Sequence, residues 1–330
     1  MDSNNSVALI QDRFQKAGSI LILSHIRPDG DAVGSVLGLG LALQEVGKQV
    51  QMVIADGVPV SLKHLPGSDL IRNGPDGEVD LIVCLDCSDQ DRLGNALEGY
   101  PLPDINIDHH ATNQGFAQIN LIDAAAVSTT EIIYTHLMAW GLPLTKSVAD
   151  ALLTGLITDT IGFRTSNISS KALRMAADLL EAGSDLSNLY HLALVNRTFE
   201  AMRFWGAGLS LLEREGSIIW TTLSMADRKS AGYGGRDDAD LINLLSAISG
   251  VEICLVFVEQ PNGRVKVSWR SVLGIDVSQV AMSFGGGGHP VAAGAEIPGN
   301  LEEIRSQVLQ ETFRLIRDNH KQYHMDGIKT

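Results

Sequence analysis

Cysteine is scarce: Cys84, Cys87 and Cys254 are the only three in 330 residues. Three thiols cannot build a disulfide framework, and their scarcity fits a reducing, cytoplasmic setting. Aromatic residues are sparse, at only 5% of the chain. Basic residues are outnumbered, leaving a formal net charge of −14. That balance argues against the broad cationic face needed for long duplex DNA or an anionic membrane. No apolar run approaches the ~20 residues of a membrane-spanning helix. The first residues, MDSNNSVALIQDRFQKAG, lack a basic segment leading into an apolar core, and read as an amphipathic helix rather than a signal peptide. What remains is a chain with a 45% hydrophobic share, enough for two globular cores.

Short apolar runs alternate with helical patterns in the first half. SILILS (19–24), KQVQMVI (48–54), DLIVCLD (80–86) and DINID (104–108) read as strands. Helices are expected at 32–46, 127–140, 147–158 and 170–181, the last closed by Gly183. This alternation predicts an α/β fold, a parallel sheet with helices on both faces, whose ligands gather at the carboxyl ends of the strands. The segment 188–214 reads as a helical connector between a first domain at 1–187 and a smaller α+β domain at 215–330. In that second domain, 217–223, 252–258 and 264–270 read as strands. Pro261-Asn-Gly263 should turn an antiparallel hairpin. A helix near 275–283, a strand at AAGAEI and a final helix at 301–319 complete it.

Carboxylates and imidazoles cluster just after these elements. His25, Asp29 and Asp31 follow the first strand, Asp86 ends the third, Asp108, His109 and His110 end the fourth, and Asp159 ends a helix. Each has a plain alternative. Asp29-Gly-Asp31 alone is an ordinary turn, Asp86 or Asp159 a cap, and adjacent histidines a solvated loop. Their joint arrival at one sheet edge points instead to metal. Converging carboxylates raise one another's pKa unless divalent cations neutralise them. His25, Asp29, Asp31, Asp86, His109 and Asp159 form a mixed nitrogen and oxygen donor set that suits Mn²⁺ best, with Mg²⁺ or Co²⁺ as alternatives. Six donors suit two ions about 3.5–4 Å apart.

The segments HIRPDGDAVGS (25–35), LDCSD (85–89), NIDHHATN (106–113), TGLITDTIGFRTSN (154–167) and FGGGGHPVAAGA (284–295) resemble the motifs of the DHH phosphoesterase superfamily, in the subgroup with a DHHA1 domain. The resemblance spans nearly the whole chain, and most nearly suggests the bifunctional oligoribonuclease and PAP phosphatase subgroup. It implies that His25 and Asp29 hold one metal, that Asp31, His109 and Asp159 hold the other, and that Asp86 bridges both. It implies that Asp108 orients a neighbouring imidazole and that His110 faces the substrate phosphate. A hydroxide shared by the ions is the expected nucleophile. Arg164 and Arg270 are expected phosphate contacts, with Gly285, Gly286, Gly287, Gly288 and His289 binding the nucleotide end. The active site is then expected in the cleft between the two domains, metals on one wall and the glycine run on the other.

Four consecutive glycines should not persist in a helix or strand, so the run reads as an irregular anion cradle of bare backbone N–H groups. Cys84-Leu-Asp-Cys87 could suggest redox chemistry, but lies on an apolar strand and reads as packing. Gly34, Gly38 and Gly40 lack dinucleotide-loop spacing and are read as close helix–sheet packing, and Trp205 and Trp269 as core residues. The resemblance implies a hydrolase for short single-stranded RNA and 3′-phosphoadenosine 5′-phosphate (pAp), with no long duplex and no membrane partner, compatible with a homodimer. Cyclic or linear dinucleotides are the alternative substrates. A non-catalytic nucleotide sensor is the rival class, and it would be favoured by a missing ligand.

Overall fold

The structure, a computed structural model, describes residues 3–272 and 274–325. The chain divides into two compact units, 1–196 and 197–330. Among the described residues no helix is long and apolar enough to cross a membrane.

The first unit runs α1 (Ser3–Lys16), β1 (Ser19–Leu23), α2 (Gly30–Glu45), β2 (Gln49–Val53), β3 (Ile71–Arg72), β4 (Leu81–Leu85), β5 (Ile105–Asp108), β6 (Ile119–Ile122), α3 (Thr129–Leu137), α4 (Lys146–Asp159), α5 (Ser170–Glu181) and α6 (Leu186–Tyr190). Its six strands are all parallel, in the order β3-β2-β1-β4-β5-β6. Alternation along the strands sends Ile20, Ile22, Val83 and Ile107 to one face, where they pack under Phe14 of α1, Val33 and Leu37 of α2, Ile132 of α3 and Leu152 of α4. Leu21, Leu23, Ile82 and Cys84 point to the other face. Among the described residues, the segment after Asp86 covers that face, with Leu93, Ala96 and Leu97 supplying the apolar lid around a 3₁₀ helix, Gln90–Leu93.

Small residues set how closely α2 and α4 approach. A Cβ on Gly34 would stand 2.6 Å from the Ala151 carbonyl oxygen, and one on Gly38 would stand 2.5 Å from Leu152 Cδ2. These two glycines therefore serve helix–helix contact, a correction to the helix–sheet reading. Only Gly40 answers to it, facing Met52 of β2.

The second unit runs α7 (Phe199–Ser210), β7 (Glu213–Glu215), β8 (Ile218–Leu223), α8 (Met225–Ala231), α9 (Leu241–Leu245), β9 (Ile253–Gln260), β10 (Arg264–Ser271), α10 (Ser278–Ser283), β11 (Gly287–His289), β12 (Ala292–Pro298) and α11 (Leu301–Met325). Its mixed sheet has the order β11-β12-β10-β9-β8-β7. The β9–β10 hairpin is antiparallel, as its Pro-Asn-Gly turn predicts. Trp269 is fully buried, its indole N–H donating to Thr312 Oγ1 at 3.3 Å. Trp205 is half-buried and donates to the Ala239 carbonyl at 2.9 Å, so both indoles serve packing.

The glycine run departs from the sequence reading. Gly287, Gly288 and His289 form strand β11, paired antiparallel with Gly294, Ala293 and Ala292 of β12. The reason is steric. A Cβ on Gly286 would lie 2.2 Å from the Gly294 carbonyl oxygen, and one on Gly288 2.5 Å from that of Ala292. The absence of side chains lets this edge strand come against its neighbour, and Gly288 also holds φ +138°.

Candidate metal centre

The carboxyl ends of β1, β4 and β5 and the termini of α2, α3 and α4 meet at one place. Asp29 caps α2, its Oδ1 accepting from the N–H groups of Asp31 and Ala32 at 3.0 Å each. The turn reading was thus half of the truth, because the same residue is brought beside His25 and Asp86. Asp31 lies in the first turn of α2 and is 1% exposed. Its two oxygens are taken by the amides that open α3: Thr129 N at 2.6 Å and Thr130 N at 3.0 Å. A helix N-terminus is where a buried carboxylate is best stabilised.

Asp86 is the hub. It follows β4 with φ +55°, a left-handed conformation that aspartate tolerates better than most residues. It is 1% exposed. Oδ2 stands 3.4 Å from His25 Nε2, and Oδ1 stands 3.7 Å from both His109 Nε2 and His110 Nδ1. Three groupings of donors share it: His25 with Asp29, Asp31 with His109, and Asp108 with His110, the atoms of each lying within 4.8 Å of one another. Asp159, the last residue of α4, reaches the centre through His109, whose Nε2 is 3.8 Å from its Oδ2.

The tautomers are set from behind. His25 Nδ1 lies 2.8 Å from its neighbour's carbonyl, Ile26 O, and His109 Nδ1 lies 3.3 Å from Ala126 O. A ring that donates through Nδ1 presents the Nε2 lone pair inward, the arrangement of metal-ligating histidines. Asp108, fully buried, accepts from His109 N at 2.9 Å, His110 Nδ1 at 2.7 Å and Asn113 Nδ2 at 2.6 Å.

Electrostatics test whether cations belong here. Burial, then the charges of Asp86 and Asp159, push the Asp31 carboxyl well above the usual range. Burial would also raise Asp86, but His25, His110 and His109 together hold it below its ordinary value. Buried carboxylates at this density, faced by inward Nε2 atoms at 3.4–3.9 Å, call for added positive charge. The donor set fits divalent cations. His110 differs: burial alone would lower its pKa, yet the hydrogen bond to Asp108 and the charges of Asp86 and Asp108 raise it to about 9.

Thr129, Thr130 and Asn113 escaped the sequence reading. Ser128-Thr-Thr-Glu131 is a capping-box pattern, with Ser128 Oγ accepting from Glu131 N at 3.1 Å, and it could have marked where α3 presents its amides. Cys84 and Cys87 are fully buried, and burial pushes the Cys84 thiol far up, which disfavours the reactive thiolate. Arg164 lies exposed on the loop after α4, where Ile161, Gly162 and Phe163 all hold positive φ. Arg270 and His289 sit on one row of the second unit's sheet, both registered to Ala292.

The DHH family's N-terminal domain matches residues 19–156 and the DHHA1 domain matches residues 222–314. A bifunctional oligoribonuclease and PAP phosphatase NrnA of Thermus thermophilus is 34% identical over 299 residues, 89% of each chain. The chain belongs to the DHH family. A second relative with the same description, from Bacillus subtilis, is 28% identical over 286 residues, 84% of this chain and 89% of its own. Among solved structures, an exopolyphosphatase-related protein from Bacteroides fragilis superposes with a TM-score of 0.82 at 25% identity, covering 97% of this chain and 96% of its own. In DHH terms, the first unit carries the DHH match and the second the DHHA1 match.

Proposed function

We propose that this chain is a metal-dependent phosphoesterase that hydrolyses short oligoribonucleotides to mononucleotides and removes the 3′-phosphate of pAp. The observation that carries the reading is Asp86, itself buried, which shares three donor groupings of one carboxylate–imidazole cluster. The names of the relatives supply the substrates.

Asp86 and His25 with Asp29 would hold one ion, and Asp86 with Asp31, His109 and Asp159 a second, Mn²⁺ by preference with Mg²⁺ or Co²⁺ as alternatives. Bound there, divalent ions acidify water and polarise phosphoryl oxygens. The protein's own part is orientation and proton placement. Asp108 fixes His110 through Nδ1, which leaves Nε2 as the donor toward a phosphoryl or leaving oxygen. Asn113 and the His109 amide keep Asp108 aimed. The α3 amides do the same for Asp31. Arg164 in the first unit, and Arg270 with Gly285–His289 in the second, are proposed to bind the nucleotide.

The test is a substrate panel in Mn²⁺ containing di- to pentaribonucleotides, pAp, and cyclic and linear dinucleotides, run with wild type and Asp86→Ala. Release of mononucleotides from the RNAs and of phosphate from pAp, abolished in Asp86→Ala, is the expected result. Cleavage confined to the cyclic dinucleotides would replace the substrate assignment, and no cleavage of any member would leave a nucleotide sensor.

A further inference from the structure

The 3₁₀ turn Gln90–Leu93, which covers one face of the first sheet, is bound to the loop between His25 and Asp29. Ile26 N donates to the Arg92 carbonyl at 2.7 Å. Leu93 is fully buried, and Gly94, at φ +60°, lies so close to Ile26 that a Cβ would stand 2.6 Å from its Cγ2. Asp89 caps the turn, accepting from Arg92 N at 3.1 Å. The main chain of Arg92 is therefore fixed one residue away from His25.

Its side chain is half-buried and, among the described residues, makes no hydrogen bond or ion pair. This is notable in a chain of net charge −14, with Asp89 and Asp91 just before it in the sequence. The plain alternative is a long stem covering apolar surface with its head in water. A guanidinium held beside an acidic centre, but engaged by none of its carboxylates, is instead available to an incoming anion with paired oxygens.

We propose that Arg92 contacts the non-bridging oxygens of the substrate phosphoryl group, approaching from the loop between His25 and Asp29. This deepens the phosphoesterase reading and rests on it. Because the turn is docked through the Arg92 carbonyl, the Asp89 cap and Leu93, changing the Arg92 head group should leave the turn in place.

The experiment compares wild type, Arg92→Gln and Arg92→Lys as Mn²⁺-loaded full chains. It measures kcat and KM for pAp and a diribonucleotide, inhibition by inorganic phosphate, Mn²⁺ affinity by calorimetry, and the unfolding midpoint. Arg92→Gln should lose roughly 10- to 100-fold in kcat/KM, the range for one hydrogen bond to a charged group. Inhibition by inorganic phosphate should weaken in parallel, Arg92→Lys should recover part of both, and Mn²⁺ affinity and the midpoint should not move. Unchanged kcat/KM in Arg92→Gln overturns the proposal. So does a loss that tracks weakened Mn²⁺ binding or a lowered midpoint, since that marks a structural role. If wild type cleaves neither substrate, the phosphoesterase reading falls by itself, and equal binding of inorganic phosphate to wild type and Arg92→Gln then overturns the role of Arg92.

Discussion

The Thr129 hydroxyl donates to Asp86 Oδ1 at 3.0 Å, tying the start of α3 to the carboxylate at the end of β4. The same residue gives its backbone N–H to Asp31. One threonine thus restrains two acidic groups by two different atoms, and the two restraints can be separated.

Thr129→Val removes the hydroxyl and keeps the amide. Partners that orient a metal-ligating group are worth about 10- to 100-fold in metal affinity or activity. Thr129→Val should therefore weaken Mn²⁺ binding in a calorimetric titration by an amount in that range, with little change in the unfolding midpoint of the metal-free protein. Wild-type affinity in the variant would remove Thr129 from the centre.

Asp86 and Asp29 differ in reach. Asp86 belongs to three donor groupings, Asp29 to one, where it is also exposed and engaged in capping α2. Asp86→Ala should reduce bound metal, counted by elemental analysis after gel filtration, more than Asp29→Ala does. Asp29→Ala should instead lower the unfolding midpoint by the loss of a helix cap, about 0.5–2 kcal/mol. Equal metal losses in the two variants would contradict the hub assignment.

Gly155 sits where α4 passes the centre. A Cβ there would lie 2.4 Å from Thr130 Cγ2 and 2.9 Å from Asp31 Oδ1. Gly155→Ala should destabilise the protein by about 1–3 kcal/mol through overpacking, and should weaken metal binding as well because Asp31 is displaced. Urea denaturation and metal titration together check this. A stabilised variant, as higher helix propensity alone would give, contradicts the contact.

Asp80 lies far from the site and offers a pH signature. Its carboxyl is held below the ordinary value by the N–H of Ser19, then that of Gly18, at 2.8 and 2.9 Å. A carboxyl lowered in the folded state adds stability above its unfolded value and loses that contribution as pH falls through the folded one. Asp80→Asn should therefore be less stable than wild type at about pH 7, with the gap closing toward about pH 3. A gap constant with pH, measured by urea midpoints, would show that the carboxylate charge is irrelevant there.

Much of the first unit was legible because buried parallel strands write themselves as continuous apolar runs. SILIL and LIVCL could hardly be anything else. The edge strands were not: β3 has two residues, and Ile119–Ile122 alternates buried and half-buried positions without a long run. The cover of the face that carries Leu21 and Cys84 was illegible for a related reason. Its lid is made by Leu93, Ala96 and Leu97 in a loop whose apolar residues follow no period. The glycine run misled because propensity speaks against a strand, while the close approach of β11 to β12 requires one. At the centre, the positions of His25, Asp86 and the Asp108-His109-His110 triplet could be read from strand ends. The supporting threonines could not, since a backbone amide has no signature in sequence beyond the cap that exposes it.

Asp31 and the amides that hold it are 98 and 99 residues apart in the chain. Partners so distant meet only when a long loop has closed, a slow event in folding. A chain still emerging from the ribosome, with β1 and α2 made but α3 and α4 not yet delivered, has Asp29 and Asp31 solvated and remote from Asp159. Their repulsion arises late, inside a scaffold already able to confine it. Cations that bind the folded unit then add to its stability by mass action, a gain that grows with the logarithm of their supply.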